Sequence, residues 1–149
     1  MAIFHQLTIP ASLWHHCLGG YLAAMSRHEE AFIRAFVEPS RQERFLGFVA
    51  SEKKRRKFTD ELYHLHSRFL VQKYLKQLKG AASLPPAVYD SLRRSGSPDR
   101  CWAIGGRFDG QEIGLLEGLT DSGDGFILSC LPGALAYLKS EDEELILQR

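Results

Sequence analysis

The sequence predicts an α+β fold, with N-terminal helices packed against a small, mostly antiparallel C-terminal sheet of about four strands. Three observations predict it. Apolar residues recur at helical spacing up to about residue 96, and beyond that they gather into short runs bounded by Gly, Pro, Asp and Ser. The helical part also precedes the strand part instead of alternating with it. At 149 residues the chain fits one domain, mainly helical over 1–96 and mainly strand over 97–149. Its core is large enough to need neither a disulfide nor a metal staple.

Taken in order, "ASLWHHCLGGYLAAM" and "HEEAFIRAFV" read as helices, the first weakened by Gly19 and Gly20, each costing about 1 kcal/mol in a helix interior. Ser40 with Glu43 three residues on forms a capping-box pattern, which predicts a helix from about Arg41. "AASLPPAV" reads as a connector that its paired prolines keep out of a helix, and "AVYDSLRRSG" as a short helix ended by Gly96. "CWAI", "GFILSCL", "ALAYL" and "ELILQ" are the four expected strands. "FDGQ" supplies an Asp-Gly turn, "LPGA" a Pro-Gly break and "KSEDEE" a polar loop between antiparallel strands. "EIGLLEGLTDSG" is compatible with a short helix ending before Gly123.

The stretch "SEKKRRKFTDELYHLHSRF" carries the strongest charge signal. Phe58, Leu62, Leu65 and Phe69 fall on one helical face at 100° per residue, which assigns that face to the core. Phe45, Phe48 and Val49 point about 115° away if the helix continues unbroken, so a break is expected near Ser51, acting as a second N-cap. Lys53, Lys54, Arg55, Arg56 and Lys57 then occupy the first turns of the second helix, where the macrodipole disfavours cations. Five consecutive residues wrap around a helix, so the run reads as a hydrated tip, with Lys53, Arg56 and Lys57 facing away from the apolar stripe and Lys54 and Arg55 flanking it, their stems along the core edge. The acidic "SEDEE" loop is its candidate partner within the chain.

Charge is uneven along the chain. Residues 41–79 carry eleven basic and four acidic side chains, whereas residues 80–149 carry six and eleven, within a net charge of +1. The layout suggests an anionic partner for the middle segment or a contact between the two regions. No run of about 18 apolar residues crosses a bilayer, and "MAIFHQLTIP" lacks a basic region ahead of a long apolar core, so a cytoplasmic protein with no membrane partner is expected. Cys17, Cys101 and Cys130 form no CxxC pair, which argues against a disulfide framework or a thiolate zinc site.

Candidate chemistry is sparse. Asp60 and His64 sit at i and i+4 and could share a metal ion, completed by His15 or His28 from another helix. His64 and His66 lie about 200° apart on a regular helix, so they do not form a pair. Cys130 would share a strand face with Phe126 and Leu128, an apolar setting that raises a thiol pKa. Ser129 points the opposite way and lacks a nucleophile elbow. Phosphate-loop, dinucleotide, RNP, KH and C2H2 patterns are absent, and no cofactor is assigned.

The C-terminal third resembles a group of small bacterial proteins of no assigned function. The resemblance rests on Asp109, Gly110, Leu115, Glu117, Leu119, Ser129, Cys130, Pro132, Gly133, Ala136 and Tyr137, and on the helical stretch "EPSRQERFLGFVASEKKRRKFTDELYH". It implies a shared α+β fold and a bacterial origin, with no activity. The functional expectation is a non-enzymatic protein-binding or regulatory module. An anion or nucleic-acid binder using residues 53–57 is the first alternative, with nucleic acid not favoured, and a small metal- or thiol-dependent enzyme the second. A homodimer through the last strand, "ELILQ", is expected if that strand lies at a sheet edge.

Overall fold

The computed structural model describes residues 26–149. The helix expected in "ASLWHHCLGGYLAAM", with His15 and Cys17 in it, lies outside the described residues. The described elements run α1 (Arg27–Phe36), a 3-10 turn (Pro39–Arg41), α2 (Gln42–Val49), α3 (Arg55–Phe69), β1 (Leu75–Leu78), α4 (Pro85–Arg94), β2 (Arg100–Gly105), β3 (Gln111–Gly114), α5 (Leu115–Asp121), β4 (Phe126–Leu131), β5 (Leu135–Lys139) and β6 (Glu144–Gln148). The strands form one six-stranded sheet of order β1-β6-β5-β4-β2-β3, with every neighbouring pair antiparallel. The fold is α+β as expected, with six strands in place of four.

The sheet is covered on both faces, and the period-2 alternation of its strands decides which residue goes where. Ile104, Ile127, Ala136, Leu138, Leu145 and Leu147 pack with the apolar faces of α1, α2 and α3. Their sequence neighbours Ala103, Phe126, Leu128, Tyr137 and Ile146 turn to the other side, against Val88 and Leu92 of α4 and Leu115 and Leu119 of α5. This explains why "FILSCL" is a nearly continuous apolar run: a strand sandwiched between two helical layers has no wet face. In the first layer Phe45 stands edge-on to Phe58 and Phe69, with ring centroids 5.4 and 5.2 Å apart. Each such contact adds about 0.5–1.5 kcal/mol beyond the area it buries.

The two strands not anticipated have local reasons for looking unlike strands. β1, "LKQL", is a short edge strand with Lys76 and Gln77 exposed, held by the register Leu75↔Leu147 to Leu78↔Glu144. Charge on a sheet edge blocks further pairing, so it also erases the apolar signature. β3, "QEIG", was absorbed into the expected helix, but that helix starts only at Leu115. The Asp-Gly turn sets Cys101 opposite Ile113 and makes residues 111–114 extended. β1 and β3 are the sheet edges, and β6 is paired on both sides. The homodimer expected through "ELILQ" therefore has no free strand edge there.

Helix starts also differ from expectation. The capping box is at Ser26 and Glu29, where Ser26 Oγ accepts from Glu29 N and Ser26 N donates to Glu29 Oε1, each at 3.2 Å. Ser40 lies inside the turn started by Pro39 and caps nothing, because an N-cap needs extended backbone that a 3-10 turn does not supply. The break near Ser51 is present, yet it is the Ser51 carbonyl that accepts from Lys54 N and Arg55 N, both at 3.0 Å, and α3 has no side-chain cap. Pro85 and Pro86 open α4 rather than exclude it, since the first helical turn needs no N–H from them.

Candidate functional site

α3 is bent. Leu65 has φ −131° and ψ 30°, outside the helical region, and the residue is 38% exposed instead of joining Phe58, Leu62 and Phe69 in the core. The same bend turns His64 and His66 toward one loop. His64 Nδ1 lies 2.8 Å from Glu141 Oε2, and His66 Nε2 lies 3.0 Å from Glu143 Oε2. Glu141 N donates to the Tyr63 carbonyl at 2.9 Å, an acceptor that a regular helix would reserve for the N–H four residues on. The acidic loop thus engages the histidines and not the basic run.

At the other end of α3, Arg55 leaves the basic run and turns inward. Its side chain is 11% exposed, and all five of its N–H donors are matched. Nη1 donates to Glu29 Oε1 at 2.8 Å and to the Val49 carbonyl at 3.0 Å. Nη2 donates to Glu29 Oε2 at 2.7 Å and to Asp109 Oδ1 at 3.0 Å, and Nε to Asp109 Oδ2 at 3.2 Å. Glu29, 1% exposed, also accepts from Trp102 Nε1 at 2.8 Å, and Asp109 accepts from Gly105 N at 2.7 Å. One guanidinium therefore ties the first turn of α1, the end of α2, the start of α3 and the β2–β3 turn together. Burial pushes the Glu29 carboxyl up, against the pull of Arg55 and the hydrogen bonds it accepts. Burial acts to lower Arg55, but the hydrogen bonds and charges of Asp109 and Glu29 hold it above the ordinary arginine value.

Beside this clamp His28 stacks on Trp102, ring centroids 6.2 Å apart, and its Nδ1 lies 2.7 Å from Ser129 Oγ. Burial, aided by Arg27, pushes His28 below its ordinary value, while Glu112 pulls the other way. The imidazole is thus held toward its neutral form. Ser129 is itself buried in the middle of β4, so the hydrogen bond joins the half-buried start of α1 to the sheet.

Of the other expected site residues, Lys53, Lys54, Arg56 and Lys57 are exposed, with Lys57 Nζ 5.9 Å from the centre of the Phe48 ring. Asp60 and His64 are not brought together around a metal: His64 turns to Glu141, while Asp60 lines a cleft of about 410 Å³ with Arg56, Thr59, Gly105, Gly106 and Asp124. Among the described residues no group of three His, Cys, Asp or Glu side chains is placed to hold an ion. Cys101 and Cys130 are buried and free, and burial pushes their thiols up to about 12 and about 11. Glu29 and Trp102 were missed by sequence reasoning. The S-x-x-E spacing of Ser26 and Glu29 would have located the helix start, but nothing local pointed to Arg55 as its partner.

Fold and site together define a three-layer domain with a fully antiparallel sheet, in which a buried arginine clamp fixes a cationic turn at the start of α3. No family model, curated protein or solved structure matches the chain.

Proposed function

We propose that this domain is a protein-binding module that docks an acidic partner on the turn carrying Lys53, Lys54, Arg56 and Lys57. One observation carries the reading. The acidic loop expected to neutralise the run pairs with His64 and His66, and of the five cations Arg55 is the one drawn into the fold, which leaves two exposed on the turn before α3 and two on its first turn. Their anchoring by Arg55 reduces the ordering cost that a mobile basic tail would pay on binding. Charge complementarity at such a face sets encounter rate and partner choice.

The test is fluorescence anisotropy with a Glu/Asp-rich peptide and the full chain, repeated after neutralising the four residues to Gln while keeping Arg55. Binding that weakens with added salt and disappears in the neutralised variant is the expected result, and an affinity indifferent to neutralisation would overturn the reading. Nucleic acid is the second reading, favoured by the same exposed cations. Four contacts to a single strand imply a fall of about 50-fold in affinity from 50 to 200 mM salt. A single-stranded oligonucleotide that binds more tightly than the peptide would transfer the assignment to nucleic acid. The thiol-enzyme alternative gains no support from Cys130, whose buried and protonated sulfur is a poor nucleophile.

A further inference from the structure

We infer that the cleft between the start of α3 and the β2–β3 and α5–β4 loops binds a small zwitterionic ligand, one carboxylate together with one or two ammonium or guanidinium groups. Its volume of about 410 Å³ falls within the range of small-molecule sites. The walls are fixed before any ligand arrives. Asp109 ties Gly105 N and Arg55 at the back, and Arg107 N donates to the Ser122 carbonyl at 2.9 Å, joining one loop to the other.

The charges inside the cleft fall into two groups. Arg55 and Asp109 satisfy each other at the back. Arg56, Asp60 and Asp124 line the same space, and their side chains make no ion pair or hydrogen bond with any described residue. Arg56 and Asp60 stand four residues apart on α3, but with the cation nearer the N-terminus, the weaker orientation for a helical pair. One guanidinium and two carboxylates of opposite sign thus face a shared cavity without a side-chain partner among the described residues. A ligand carboxylate on Arg56 and cationic groups on Asp60 and Asp124 would match all three. A basic amino acid has this chemistry, whereas a dicarboxylate has the wrong sign for two of the three groups.

The cleft shares only Arg56 with the docking turn, so the two readings fail separately. The experiment is amide NMR of the full chain titrated with arginine, lysine, putrescine and succinate. Arginine or lysine is expected to shift the amides of Gly105, Gly106, Asp124 and Gly125 saturably. The double variant Asp60→Asn/Asp124→Asn is expected to weaken this by at least about tenfold, the loss from removing charge-assisted hydrogen bonds. Arg56→Gln should weaken arginine binding but leave putrescine, which has no carboxylate, unchanged. Acidic-peptide binding should survive the Asn variants. No saturable shift up to about 20 mM of any probe, far above a millimolar dissociation constant, would overturn the site. So would arginine shifts that persist in the Asn variants, or succinate binding as tightly as arginine.

Discussion

Replacing Arg55 by Met separates the clamp from every exposed cation beside it. The substitution removes five donors at once and leaves Glu29, buried to 1% exposure, with Trp102 Nε1 and Ser26 N as the donors to its side chain among the described residues. Removing one member of a buried ion pair costs about 3–5 kcal/mol, because the remaining charge stays out of water without compensation. Glu29 and Arg55 are shielded enough for that range to apply, whereas the Asp109 side chain is 36% exposed and its share is discounted for screening. For a chain of this length each kcal/mol lowers Tm by about 2–4 °C, so the expected drop is roughly 6–20 °C. Urea unfolding followed by fluorescence, with Trp102 inside the network, gives the same quantity as a lower midpoint at unchanged slope. Arg56→Met is the control, expected to stay within about 0.5 kcal/mol as an exposed substitution does. If Arg55→Met and Arg56→Met cost the same, the clamp contributes nothing to stability and the anchored-turn argument fails with it.

Two more outcomes follow from the same geometry. At Gly105, φ is +78° and an added Cβ would lie 2.5 Å from Thr59 Cγ2, so α3 can approach β2 only across a glycine. Gly105→Ala should therefore cost roughly 2–4 kcal/mol in a chemical melt, from left-handed strain plus overpacking, and a neutral result would show that α3 is free to shift. His28 titrates below its ordinary value through burial and Arg27, opposed by Glu112, so the unfolded chain takes up the proton first as pH falls. Its stability contribution is full above about pH 6.5 and is lost as pH falls through the lower folded value. Urea midpoints of the parent should drop more than those of His28→Gln between pH 7.5 and pH 5, and equal drops would show that His28 does not carry the effect.

The elements that could be read in the sequence are those whose pattern is dictated locally. α1, α4 and strands β2, β4, β5 and β6 announce themselves by period and by Gly or Pro boundaries. β1 and β3 do not, because both are edge strands whose pairing is decided by β6 and β2 and whose exposed positions are polar. The site divides in the same way. Lys53, Arg56 and Lys57 sit in water on the face turned from the apolar stripe, as read, whereas the helical period places Lys54 and Arg55 alike beside that stripe. Only the meeting of residues 29, 55, 102 and 109, separated by up to 80 positions, selects which of the two is buried. Long-range selection of this kind leaves no trace in local periodicity.

The bend at Leu65 shows how a side chain expected in the core can be exchanged for a different anchor. On a straight helix Leu65 would extend the stripe of Phe58, Leu62 and Phe69, and His64 and His66 would face opposite ways. Bending gives up the burial of Leu65, but it places both imidazoles against carboxylates of a loop that is already folded: Ser140 Oγ accepts from Glu143 N at 3.1 Å, and Ser140 N donates to the Glu143 carbonyl at 2.9 Å. The His64–Glu141 pair is half exposed and contributes little, whereas His66 and Glu143 are more enclosed and hold the better contact. α3 is therefore tied to the sheet near both ends, by Arg55 at its start and by His66 past the bend. A helix held at two points cannot rotate about its axis, and that constraint keeps the exposed cations of its first turn pointing outward as a fixed surface.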